Sequence, residues 1–336
     1  MTSISIGDLA QGYVLRRQNA DLKEQMGLLV RELSSGRTAD VSRHLSGGYA
    51  FLADVERNLG MLETYAAAAS EAALFTNGMQ DALEVFQAFA TNLGSSALSS
   101  GASALPEAVA NTSHQAAGDF TRMISALNTG VAGRSLFSGV ATDTSPLATG
   151  PEILNALRTA VTGETTAAGV QAVLDDWFDT PGGGFDTMAY KGASQSLSPF
   201  SVARGEAVDL DLRADNGAVR ALLKHAATAA LAADSSLGLD VGTQAELLTS
   251  AGEGLAFGQA GLTEIRADLG YAQSRIEDSE TRISSERIGY QIAQADLLAV
   301  DPFETATELE NVQFQLESLY AVTVRMSRLS LVDFLR

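Results

Sequence analysis

The chain has 336 residues, with 22 Lys and Arg against 41 Asp and Glu, and its formal net charge is −19. This charge repels phosphate backbones and anionic lipid surfaces, so it argues against nucleic acid and membranes as partners. The absence of cysteine excludes disulfides, thiolate metal sites and thiol nucleophiles.

The first segment, residues 1–40, is predicted to form an amphipathic helix. Leu15, Leu22 and Leu29 recur at seven-residue intervals, which places them on one helical face. The segment opens without the basic stretch and apolar run of a secretory leader, and no later segment has about 18 uninterrupted apolar residues. We therefore expect neither a cleaved signal peptide nor a membrane span.

The second segment, residues 41–141, is predicted to form the first half of a helical rod. Apolar residues recur every seven positions from Leu45 to Ala73, and others follow three places later, which is typical of a coiled-coil seam. The strongest members of this seam are Leu52, Leu59 and Leu62. The Ser-, Gly- and Ala-rich run from Leu93 to Ala104 is predicted to break this helix into two pieces.

The third segment, residues 142–235, has the composition of a small inserted domain. It contains four of the chain's 6 prolines and the run Gly182 to Gly184. The alternation in Val208 to Leu212 predicts a strand, and Pro151 to Leu157 and Ala218 to Ala232 are predicted to be short helices.

The fourth segment, residues 236–300, repeats the heptad pattern, and its seam includes Leu262, Leu269, Ile276 and Ile283. At 1.5 Å per residue, its helix would span roughly 80 Å. A long helix with one apolar stripe is marginal in water, so the two heptad segments are expected to cover each other. The predicted fold is mainly α: a long antiparallel helical coiled-coil rod built from both chain termini, with a small inserted α+β domain.

The last segment, residues 301–336, is predicted to be a second terminal helix that begins after Asp301-Pro302. Its apolar residues are spaced by three and four. Nothing else in the chain is left to cover the stripes of the two terminal helices, and an uncovered apolar face ordinarily marks an interface. The predicted assembly interface consists of Leu15, Leu22, Leu29, Leu309, Val312, Leu316, Leu319, Leu331 and Phe334.

No pattern in the chain predicts catalysis, a cofactor or a metal. The acidic cluster Asp175 to Asp179 lacks the spaced ligands and glycine of a calcium loop, so it is interpreted as a solvated face anchored by Trp177 and Phe178. Gly182 to Gly184 lacks the lysine of a phosphate-binding loop and is interpreted as a hinge or loop. The three histidines, His44, His114 and His225, are far apart in the sequence.

Three motifs in a fixed order carry a resemblance to a known family. They are Glu32 to Arg37 (ELSSGR), Asn128 to Gly139 with its GRSLFSG core, and the tail from Leu316 to Leu335 that ends in SLVDFL. Together they resemble the flagellin superfamily over roughly residues 1–140 and 240–336. Gly133 to Pro146 and the aromatic-bearing tail are most similar to the hook-associated proteins of type 3, the family of hook–filament junction subunits.

This resemblance implies a structural subunit of the bacterial flagellum that joins hook to filament and is not an enzyme. It implies extracellular localisation, reached by type III export without a cleaved signal. It implies as partners hook-associated protein type 1, flagellin, copies of the chain and an export chaperone, and terminal helices that fold on assembly. Asn128, Arg134 and Phe137 are expected to form a junction turn where the rod meets the insert.

Two alternatives remain open. The chain could be a filament flagellin, which would polymerise alone into long filaments. It could instead be an adhesin whose insert binds a surface while the coiled coil serves as a stalk, in which case deletion of residues 142–235 would abolish adhesion and spare motility.

Overall fold

The computed structural model describes the backbone of residues 6–334 and the side chains of residues 10–326. This part of the chain is mainly helical, as predicted. Its α-helices are α1 (Ile6–Ser35), α2 (Val41–His44), α3 (Tyr49–Ser103), α4 (Pro106–Leu127), α5 (Gly150–Ala160), α6 (Ala167–Asp179), α7 (Gly217–Leu231), α8 (Val241–Leu298) and α9 (Pro302–Phe334). Two antiparallel hairpins pair β1 (Gly130–Val131) with β2 (Arg134–Ser135) and β3 (Phe200–Ala203) with β4 (Glu206–Val208).

The chain divides into two compact units. The terminal unit combines Met1–Glu63 with Ser285–Arg336, and the central unit is Thr64–Ser284. The central unit holds most of the buried apolar side chains. Among the residues with described side chains, the terminal unit has only five fully buried apolar residues, which are Leu29, Leu52, Val55, Leu62 and Val312.

Within the central unit, α3 and α8 pack side by side in opposite directions. The Gln80 side chain donates a hydrogen bond to the Arg266 carbonyl at 3.0 Å. Earlier on α3 and later on α8, the Gln273 amide donates to Asn77 Oδ1 at 2.7 Å. The predicted antiparallel pairing of the two heptad segments is therefore confirmed in this unit.

Small residues on both helices allow this close approach. A Cβ atom on Gly101 would lie 2.3 Å from Thr249 Oγ1, and one on Gly252 would lie 2.6 Å from the Leu98 side chain. The prediction that the run from Leu93 to Ala104 breaks the helix is wrong for most of that run, because α3 continues to Ser103. The break comes at the last residue of the run, Ala104, which has a φ of 48°, and Pro106 begins α4.

The β3–β4 hairpin packs on the α3–α8 pair. The Phe200 ring lies 5.9 Å from the Phe75 ring, and Ser279 Oγ of α8 donates to the Val202 carbonyl at 2.8 Å. A polar residue, Ser279, stands in the heptad series because it packs against the hairpin backbone. The strand predicted at Val208 to Leu212 is wrong beyond Val208, since β4 ends there and the next residues have no partner strand.

The two short helices predicted in the insert are present as α5 and α7. Thr149 and Glu152 start α5 with a capping box, in which each side chain binds the other residue's backbone N–H. Asn216 caps α7 by accepting from the Ala218 N–H at 2.9 Å. Helix α7 then packs against α4 and α6, which places the insert's core around this helix.

Candidate assembly surface

The inner faces of α1 and α9 pack on each other within the terminal unit. Leu29 and Val312 are 2% and 4% exposed, and a groove of about 530 Å³ between the helices is lined by residues that include Leu15, Leu22 and Leu319. Tyr320 joins the pair, since its hydroxyl bonds to Asn19 and Lys23 of α1, and these bonds lower its pKa. The expectation that nothing in the chain covers the terminal stripes is therefore wrong.

The predicted interface residues lie at this helix pair. Leu29 and Val312 are fully buried, whereas Leu15, Leu22, Leu309, Leu316 and Leu319 are half-buried. The side chains of Leu331 and Phe334 lie outside the described residues. Part of each half-buried leucine remains exposed to solvent. The contact between α1 and α9 therefore leaves apolar surface of the terminal unit uncovered.

The outer faces of the terminal helices carry large apolar side chains that the heptad analysis missed. Phe303 is 83% exposed and Phe314 is 70% exposed, and their spacing of eleven residues, about three turns, places them on one face of α9. Val312, only two residues from Phe314, lies on the opposite, buried face. Helix α1 presents Tyr13, at 64% exposure, on its outer side.

This apolar surface is concentrated in one part of the molecule. Among the residues with described side chains, thirteen of the nineteen exposed large apolar residues lie in the terminal unit, which has about a third of the chain. In that unit they outnumber the five fully buried apolar residues. A unit that exposes more large apolar side chains than it buries is marginal alone and suited to association.

The ELSSGR motif, Glu32 to Arg37, is hydrogen-bonded to the segment that follows it and to the α8–α9 connection. The buried Glu32 carboxylate accepts a hydrogen bond from the Ala39 N–H at 2.8 Å and one from Thr38 Oγ1 at 3.2 Å. Gly36 turns the chain with a φ of +67°. The Thr38 N–H then donates to the Leu298 carbonyl at 2.8 Å, and the Val300 N–H donates to the Gly36 carbonyl. These bonds hold the end of α1 beside the α8–α9 connection.

The predicted rod seam is largely buried. Leu52, Leu62, Leu262, Leu269, Ile276 and Ile283 have exposures of 7% or less, and Leu59 is half-buried. A side chain at each of these positions contributes apolar area at the helix interface, which stabilises the pair by about 25 cal/mol per Å² removed from water.

The predicted junction turn follows the end of α4. Asn128 is the C-cap of that helix, and its amide reaches across the turn to Leu147, donating to the Leu147 carbonyl at 3.0 Å and accepting from the Leu147 N–H at 2.9 Å. Arg134 lies 4.6 Å from the Phe75 ring centre and pairs with Glu71. Phe137 is fully buried. All three residues lie in the segment that connects α4 to α5.

The acidic cluster on α6 has a cation that the sequence did not reveal. Lys224 of α7 contacts both Asp175 and Asp179, at 2.6 and 2.5 Å. Burial lowers the pKa of Lys224, but the two carboxylates outweigh it and the net shift is upward. No group of three His, Asp or Glu in the described part of the chain is arranged to hold a metal ion. The cluster fastens α6 to α7.

The run Gly182 to Gly184 is a packed turn. A Cβ on Gly184 would lie 1.9 Å from Trp177 Nε1, and Gly182 has a φ of +74°. Glycine is required there by contact and by conformation. The interpretation as a loop is correct in location, although tight packing against the indole argues against a hinge.

Comparison with known proteins relates the C-terminal part of the chain to one family. Residues 258–335 match the family model described as the bacterial flagellin C-terminal helical region. No curated protein sequence is significantly similar to the chain. A solved structure from Vibrio parahaemolyticus, provisionally described as a flagellar hook-associated protein, matches with 13% identity and a TM-score of 0.49, over 75% of this chain and 99% of that one. None of the helices in the described range is long and apolar enough to cross a membrane.

Proposed function

We propose that the chain is a structural subunit of the bacterial flagellum that joins hook to filament through its terminal helices. The observation that carries this proposal is the exposed apolar outer face of the α1–α9 pair, which includes Phe303 and Phe314. The α9 part of this face lies within the 258–335 match to the flagellin C-terminal helical region. Burial of two phenylalanines at a subunit contact contributes several kcal/mol.

In the proposed mechanism, the chain assembles through its terminal unit, which has a small apolar core of its own. In the free chain, α1 and α9 bury little apolar area against each other, and helices of this kind open easily. Neighbouring subunits cover the outer face and complete the core. The proposed partners are hook-associated protein type 1 on one side, flagellin on the other and further copies of the chain, after export with a chaperone to the cell exterior.

The junction role is distinguished from filament flagellin by polymerisation. A filament flagellin forms long filaments from the purified chain alone, whereas a junction subunit remains short without a hook end to bind. The segment Gly133 to Pro146 and the aromatic-bearing tail, which are most similar to the type 3 hook-associated proteins, favour the junction subunit. The adhesin alternative predicts that deletion of residues 142–235 leaves motility unchanged.

The outer face is tested by replacing Phe303 and Phe314 together with aspartate. Both side chains are exposed in the free chain, so the melting temperature of the purified variant should stay within about 2 °C of wild type. Its incorporation into flagella should fail, because the contact would bury two unpaired charges. The matched control replaces exposed Phe257 of the central unit, 81% exposed, with aspartate.

Export must be measured in the same cells, since failed export would imitate failed assembly. The variant should reach the culture supernatant in wild-type amounts and be absent from flagella. Normal filaments on cells that make the variant would refute the assembly role of this face. A large fall in the melting temperature would show that the two rings already pack inside the free subunit.

A further inference from the structure

The central unit has an apolar groove beside the β3–β4 hairpin. The segment that follows β4 and the middle of α8 enclose a groove of about 280 Å³. Its walls include Leu212, Ile265 and Ala272, all half-buried, and its rim carries the carboxylates of Asp209, Asp211 and Asp268. The three aspartates are exposed and form no ion pair or hydrogen bond with the described chain.

Cations in the central unit are nearly all paired. Within residues 64–284, nine of the eleven Lys and Arg side chains form an ion pair with a carboxylate. The exceptions are Arg204 and Lys191, and the charge of Lys191 adds to the Thr149 hydrogen bonds that lower the pKa of Glu152. In a chain with a net charge of −19, an unpaired arginine is conspicuous.

Arg204 is presented at the tip of the hairpin. It occupies the two-residue turn with Gly205, which has a φ of +76°, and its side chain is exposed. The hairpin is fixed on α8 beside its turn, because Arg282 pairs with Glu206 and Ser279 donates to the Val202 carbonyl. A long cationic side chain therefore projects from a supported loop.

We propose that the hairpin tip of one copy, carrying Arg204, enters the acidic-rimmed groove of a second copy in a head-to-tail contact. The aliphatic stem of arginine suits the apolar walls and its guanidinium suits the carboxylates of the rim. This inference rests on the proposed function, because it requires copies to lie side by side in an assembly.

A chain cannot fill its own groove. Five residue steps, through Gly205 and β4, lead from Arg204 to Asp209, about 17 Å at strand spacing. Along α8, the residues that contact the hairpin are Arg275, Ser279 and Arg282, which lie seven to fourteen positions from Asp268, about 10 to 21 Å. The tip and the groove are thus displaced along one direction of the molecule. Such an arrangement repeats between successive copies as a heterologous contact.

The cysteine-free sequence permits a direct test by cross-linking. A variant carrying both Arg204→Cys and Asp211→Cys has only the two introduced thiols. After mild oxidation of isolated flagella, it should give a ladder of covalent dimers and larger species of this chain. The pair Lys191→Cys with Asp211→Cys should give none. A product that joins the chain only to a different protein would overturn the proposal.

Charge exchange supplies the second arm. Arg204→Asp alone, and Asp211→Arg with Asp268→Arg alone, should each lower incorporation into flagella about tenfold by placing like charges together. Co-expression of the two variants should restore incorporation, because each variant's tip then meets the other's groove with opposite charge. Lys191→Asp is the matched control and should incorporate normally.

The outcomes separate this inference from the proposed function. If the wild-type chain is absent from flagella, the proposed function fails. If the wild-type chain is incorporated while the charge variants also incorporate normally and no ladder forms, the groove contact alone is refuted. Failure of co-expression to rescue the single variants would likewise contradict a contact between copies.

Discussion

Asn128 is predicted to stabilise the central unit, because its side-chain amide is the only partner in the described part of the chain for the backbone N–H and carbonyl of Leu147. Its amide makes two hydrogen bonds to that residue, at 3.0 and 2.9 Å, and Leu147 is 2% exposed. The neighbouring backbone bonds run from Lys191 to Pro146 and from Ala148 to Ala189, so the Leu147 N–H and carbonyl depend on Asn128. The replacement Asn128→Ala leaves both groups buried without partners.

The expected loss can be worked from these two groups. An unsatisfied buried donor or acceptor costs about 1–3 kcal/mol, and two of them partly relieved by water cost about 2–4 kcal/mol. For a unit of this size, each kcal/mol shifts the melting temperature by about 2–4 °C. Asn128→Ala should therefore melt roughly 5–15 °C below wild type. Asn111→Ala, an exposed asparagine of α4, is the matched control.

The assay is thermal unfolding of the purified full chain, followed by circular dichroism. Asn128→Asp adds a finer test, because aspartate keeps the acceptor for the Leu147 N–H but sets a carboxylate oxygen against the Leu147 carbonyl. It should be no more stable than Asn128→Ala. A melting temperature for Asn128→Ala within 1 °C of wild type would refute the reasoning.

Two further predictions concern packing and pH. Gly101→Ala should destabilise the α3–α8 pair, since its new Cβ would meet Thr249 at 2.3 Å. Gly118→Ala, in open space on α4, should instead stabilise the folded chain by about 0.5–1 kcal/mol. Melting-temperature shifts of the same sign for both variants would contradict the close approach of α3 and α8. His225 packs on Gly254, and burial, then the charge of Lys224, lower its pKa against the opposing effect of Asp175 and Asp179. The folded state therefore binds this proton less readily than the unfolded state, so stability that is present above pH 6.5 is lost as the pH falls below it. Wild type should lose more melting temperature than His225→Gln between pH 8 and pH 5.5, and equal losses would contradict the assignment.

The sequence predicted the features that depend on apolar periodicity. Leu262, Leu269, Ile276 and Ile283 are buried as their heptad spacing indicated, because a repeat of seven fixes one face of a helix whatever packs against it. The sequence also predicted the start of α9 at Pro302, since proline lacks the N–H that would continue the preceding helix.

Features that depend on partners distant in sequence could not be predicted in this way. Glycine and serine between Leu93 and Ala104 suggested a break, but their role is set by α8, about 150 residues later. The acidic cluster on α6 gave no sign of Lys224. The outer apolar face was missed because Phe303 and Phe314 lie outside the leucine stripe, although two aromatic residues three turns apart on a surface helix were a usable signal.

Electron microscopy of the host bacterium after deletion of this gene tests the central claim most directly. A junction subunit that joins hook to filament predicts cells with complete hooks and no attached filaments, together with flagellin shed into the medium. The wild-type chain, supplied in trans, should restore filaments, and the Phe303→Asp and Phe314→Asp double variant should not. Full-length filaments on the deletion cells would contradict the account.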